Sequence, residues 1–180
     1  HLIYFAAIGF GFMLVEVSQI QRLTVFLGHP TYGLSVVLFT LLLSGGLGSY
    51  STKAIDQRTP GVARLFLLVG VVAVVGALTP FALHASQAAP TAHKALLAVG
   101  MLLPLGLVMG TAFPLGLKLA SVRSASLTPW FWGINGATSV CGSVLAVAIA
   151  LSLGISASFW TGAACYVIAA GAFAWAAGVA

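Results

Sequence analysis

LIYFAAIGFGFMLVEVSQI, residues 2–20, decides how this chain is read. It supplies most of a membrane-spanning helix, which needs about 20 predominantly apolar residues. Yet it contains Glu16, one of only two acidic residues among 180. A charged side chain at the centre of a bilayer costs roughly 2.5–3.5 kcal/mol on insertion scales. Such residues are turned inward, paired, and placed where ions, protons or substrates move. The stretch therefore points to a helix in lipid and to one residue within it that needs a reason.

The rest of the chain agrees with the first half of that statement. Hydrophobic residues make up 61% and charged residues 5%. Soluble domains carry about 25% charged residues, so this chain cannot clothe a water-facing surface and its outer face must meet lipid. The net charge of +5 comes from scattered Lys and Arg between apolar runs. No basic patch interleaved with aromatics exists, which argues against nucleic acid as a partner. Cys141 and Cys165 fall inside apolar runs and read as small packing residues. Without a C-x-x-C motif, thiol redox chemistry and thiolate zinc sites are not expected. The chain begins with His1 and is expected to be a processed product, a fragment or the ordered part of something longer. No signal peptide is read, because the first apolar run has neither a basic flank nor a small-residue cleavage site.

Six spanning segments are predicted, making residues 1–180 a single all-α transmembrane bundle: about 2–23, 30–50, 61–83, 94–120, 130–153 and 156–177. Breakers separate them. Pro30 suits a first helical turn, and the short SLGIS connector predicts that the fifth and sixth helices form an antiparallel hairpin. Lys53, Arg58, Arg64, Lys118 and Arg123 lie at one end under this topology, and Arg22 and Lys94 at the other. The bias places the first set and both termini in the cytoplasm of a bacterial inner membrane. Trp130 and Trp132 fit an interfacial aromatic belt.

Small residues predict where helices approach closely. The fourth segment carries Gly106 and Gly110 as G-x-x-x-G, bracketed by Pro104 and Pro114. The fifth carries Gly133, Gly136, Ser139, Gly142 and Ser143, and the second ends with Ser44, Gly45, Gly46 and Gly48. These three segments are therefore expected to form the tight interior. Plain packing accounts for most of these glycines. The alternative is that Pro104 and Pro114 break the fourth helix, which then lines a cavity.

Four constellations are candidates for chemistry. Glu16, Gln19 and Arg22 recur every three residues and share a slowly drifting helix face. Either they form a structural intramembrane pair, or Glu16 binds a proton or cation. Its expected neighbours are the glycine-rich faces of the fourth and fifth helices. His29, His84 and His93 map to one end, and their spacing is not that of a metal site; they are weak candidates. Asn135, beside two glycines in PWFWGING, suits a bridge between helices. The loop GSYSTKAIDQRTPG is similar to a cytoplasmic loop of major-facilitator transporters, although eight positions separate Gly48 from Asp56; Asp56 with Lys53 or Arg58 reads as a solvated pair. No catalytic motif and no cofactor motif is present.

Three stretches together resemble one family: GFMLVEVSQIQRLTVFLGHPTYGLSVVLFTLLLSGGLGS (11–49), GLVMGTAFPLGLKL (106–119) and PWFWGINGATSVCGSVLA (129–146). They look like the C-terminal membrane region of bacterial spermidine-synthase-like membrane proteins, and the resemblance runs from about Gly9 to Leu153. It implies matching roles for Glu16, Gln21, Arg22, Gly28, His29 and Pro30. It also implies that any aminopropyltransferase-like activity belongs to a soluble domain, either preceding His1 or on an associated chain. The expected function is a membrane anchor or a small-solute, polyamine-type transport module near Glu16. The alternatives are an accessory subunit of a larger membrane complex and half of a major-facilitator-like transporter. The expected partners are lipid and either other membrane subunits or a cytoplasmic domain.

Overall fold

The computed structural model describes the backbone of residues 1–54 and 58–179, and their side chains except at 54, 58–60, 122–125 and 179. Asp56 lies outside the described residues, as do the side chains of Arg58 and Arg123. Among the described residues every regular element is a helix. Six helices are each long and apolar enough to cross a membrane: α1 (Leu2–Leu27), α2 (Pro30–Ser51), α3 (Arg58–Ala85), α4 (Thr91–Ser124), α5 (Thr128–Leu153) and α6 (Ile155–Val179). This is a multi-pass membrane protein.

Local chemistry sets the ends. α1 continues past the expected stop at Leu23 because Gln21, Arg22 and Thr24 are all compatible with helix. It ends where Gly28 takes φ 76°, a left-handed conformation that glycine adopts without steric penalty. His29 is then extended, as a residue before proline prefers, and Pro30 opens α2. Gly154, at φ 94°, is the whole connection between α5 and α6, so these two form the tight antiparallel hairpin. α4 runs unbroken through Pro104 and Pro114. The alternative of a broken fourth helix is not met, although α4 does line a cavity: each proline removes one backbone bond, and packing in a bundle tolerates that loss.

The helices alternate in direction. The start of α1 lies beside the start of α5 and the end of α6: His1 packs on Phe131 with ring centroids 6.1 Å apart, and Tyr4 on Phe173 at 5.5 Å. At this same end Lys118 Nζ donates to the Thr52 carbonyl at 2.7 Å, fastening the end of α4 to the end of α2. Arg64 Nη1 donates to Ser51 Oγ at 2.8 Å. Trp130 and Trp132 are exposed nearby at the start of α5.

The interior differs from the sequence expectation in one respect. α1 is the central helix, touching α2, α4, α5 and α6, and 61% of its spanning window is buried. α5, expected inside, is the outermost, with 11% buried. Its Gly133 and Gly136 face open space. The α2–α4 pair does meet as tightly as its small residues suggest. A methyl group on Gly48 would collide with the backbone of Leu107, and one on Gly110 with the backbone of Gly45. Gly106 lies against Ser44. Helices in lipid lack a hydrophobic force between them, so close backbone approach supplies the attraction.

Candidate functional site

The register of α1 against α6 decides where the polar groups go. Gly11 faces Gly162, Cys165 and Tyr166, and Gly162 in turn faces Leu14 and Val15. The helices run antiparallel, so later residues of α1 meet earlier residues of α6. Arg22 thereby reaches the first turn of α6. Its Nη2 donates to Ser156 Oγ at 3.2 Å, and its guanidinium carbon stands 5.6 Å from the centroid of the Phe159 ring.

Glu16 lies near the midpoint of α1 and is 7% exposed. Gln19 and Arg22 follow it on the helix, but neither bonds it. Among the described residues its carboxyl group has no hydrogen bond and no ion pair. The reason is rotational. At three-residue spacing each step turns the face by about 60°, so Arg22 stands about 120° around the helix from Glu16, where it meets Ser156 and Phe159 of α6. Gln19 is 1% exposed; among the described residues its Oε1 has no partner, and neither do Gln21 Oε1, Arg22 Nη1 and Ser158 Oγ. The turns following Glu16 therefore hold a cluster of unsatisfied polar atoms, an expensive arrangement in a low-dielectric interior.

A cavity of about 320 Å³ lies one turn earlier, between α1, α4, α5 and α6. Phe12 and Met13 form its α1 wall, Met109 and Phe113 part of its α4 wall, and Asn135 and Ser139 its α5 wall. Tyr166 closes it from α6. Asn135 is held by its Nδ2, which donates to the Phe5 carbonyl at 3.2 Å and so bridges α5 to α1. Of the other residues considered for a cavity, Gly110 borders it; Gly106 and Pro114 are not among its walls. Glu16 is not among them either, and sits on the next turn of α1 after Phe12.

The histidines are dispersed. His29 caps α2, His84 sits in the last turn of α3 and His93 near the start of α4, all exposed. Among the described residues no three His, Cys, Asp or Glu side chains come together as metal ligands do. Sequence reasoning missed Tyr166, although a signal existed. Tyrosines of spanning helices concentrate at the interfaces, whereas Tyr166 stands near the middle of α6 and is 2% exposed. Met13 and Met109 carried no such signal. Comparison with protein-family models, with curated proteins and with solved structures finds no match to this chain.

Proposed function

We propose that the chain is the membrane module of a spermidine-synthase-like protein, in which Glu16 binds a proton or small cation during movement of a small, amine-bearing solute. The observation that carries this reading is the unpaired carboxyl group in the middle of the central helix. A structural ion pair would have accounted for Glu16 without further function, and Arg22, the nearest cation along α1, is engaged with Ser156 and Phe159 instead. A carboxyl group left alone in hydrocarbon is either neutral or awaiting a cation, and both states suit a group that exchanges protons. The protein sits in a bacterial inner membrane with the Lys53, Arg64 and Lys118 end, and both ends of the chain, toward the cytoplasm. That orientation suits an associated cytoplasmic domain.

Proteoliposomes carrying a pH-sensitive dye test the proposal. Imposing a gradient of a small amine should drive proton flux through the native chain. Glu16→Gln should reduce that flux to the level of empty vesicles while the protein remains folded. Flux unchanged in Glu16→Gln would remove the proposed role.

The bareness of α5 favours a second reading, an accessory subunit of a larger membrane complex. Cys141 is exposed on α5 and serves as a native reporter. A thiol-directed cross-linker applied to intact membranes should join Cys141 to a discrete partner subunit under this reading, and should yield only monomer if α5 faces lipid.

A further inference from the structure

We infer that the cavity between α1, α4, α5 and α6 binds an uncharged single-chain amphiphile that enters from the bilayer between α4 and α5. This site is separate from Glu16 and does not rest on the transport reading. Its size, about 320 Å³, falls at the lower bound of small-molecule pockets, roughly 300–1,000 Å³.

The route follows from which helices meet. α4 and α5 touch little along their lengths. Near the Lys118 end Phe113 packs on Trp132, with centroids 4.4 Å apart, and closes the gap there. Further along, α5 leans on α1 instead, and Gly136 has nothing within van der Waals reach. The cavity is thus bounded by α1 behind, by Tyr166 at depth and by the Phe113–Trp132 contact at one end. Its remaining side is the α4–α5 gap, which faces the acyl chains.

The ligand class follows from the walls. Among the described residues no charged side chain lines the cavity, so a carboxylate or phosphate head would enter without a counter-charge, at the cost of burying an ion in low dielectric. Phe12, Met13, Met109 and Phe113 offer a body of apolar and polarizable surface that adapts to a flexible chain. The polar edge is narrow. Asn135 uses one Nδ2 N–H on the Phe5 carbonyl, which leaves its Oδ1 free to accept and its second N–H free to donate. Ser139 Oγ is held only by a long 3.5 Å contact to the Gly9 carbonyl and remains free to accept from a ligand. A head group that donates one hydrogen bond and accepts another, a hydroxyl above all, matches that edge.

The test uses the full chain in lipid nanodiscs and a long-chain primary alcohol bearing a mid-chain diazirine. Photolabelling is expected on the turns around Met13, Met109 and Ser139. Excess unlabelled alcohol should suppress it, with an alkane of equal length at least about tenfold weaker as competitor, the factor for losing one of its two hydrogen bonds. Ser139→Phe should abolish labelling by filling the cavity, and the competition on the native chain stands if that variant does not fold. Glu16→Gln should leave labelling unchanged, which separates this site from the proposed proton group. The inference is overturned if label spreads evenly over lipid-facing α2 and α3. It is equally overturned if the alkane, the matching fatty acid or a trimethylammonium amphiphile competes as well as the alcohol.

Discussion

Gly48→Leu is expected to break the pairing of α2 with α4, whereas Gly46→Leu, two residues earlier, is expected to leave the bundle intact. The two glycines share the run LLLSGGLGS and look alike in sequence. Their surroundings do not. A side chain on Gly48 drives into the carbonyl and Cα of Leu107, while one on Gly46 meets nothing within 4 Å. Overpacking against a side chain is relieved by a rotamer change, but here the obstacle is backbone. The helices must separate, and with them goes the Lys118 bond to the Thr52 carbonyl at the end of the same seam. A loss of about 3 kcal/mol or more is expected for Gly48→Leu, at or above the usual overpacking cost. Gly46→Leu should gain up to about 1 kcal/mol, since leucine is the better helix former and points into lipid. Reversible unfolding in mixed micelles, followed by circular dichroism, gives both numbers. Equal losses in the two variants would mean that α2 and α4 are not in contact as described.

That contrast shows what sequence carries for a protein of this kind. The number of helices was readable because spanning length and breaker residues are local properties. Pro30 and the SLGIS connector announced their turns directly. The arrangement of helices was not readable, because lipid-facing and buried residues are equally apolar and no polar face betrays the outside. In the sequence Gly133 and Gly136 therefore look as interior as Gly106 and Gly110, although α5 lies outside. α1 was marked by its polar residues alone, and its central position gives those residues their significance. The glycine context of Asn135 marks it for a bridge between helices, and its Nδ2 donates to the Phe5 carbonyl. The direction of Arg22 was beyond reach, since it depends on a rotation that brings α6, 134 residues away in sequence, beneath the guanidinium.

Glu16→Leu should make the bundle more stable while removing the proton flux assigned to the native residue. The sign of the stability change separates the two explanations of Glu16. Breaking a buried ion pair leaves the other charge uncompensated and typically costs about 3–5 kcal/mol. Glu16 has no such partner among the described residues, so its removal leaves nothing stranded. What disappears is the cost of holding a carboxyl group in hydrocarbon, at most roughly 2.5–3.5 kcal/mol if it is charged and less if it is protonated. Leucine, similar in reach and favourable at a helix centre by a few tenths of a kcal/mol, adds to that gain. Glu16→Gln, which keeps a polar group of the same shape, should fall between the native chain and Glu16→Leu. The same unfolding measurement applied to the three proteins gives the order directly. A native chain more stable than both variants would identify Glu16 as a structural residue with a partner. The reverse order means that the fold keeps a destabilising residue at its centre, which is the pattern expected where selection has favoured chemistry over stability.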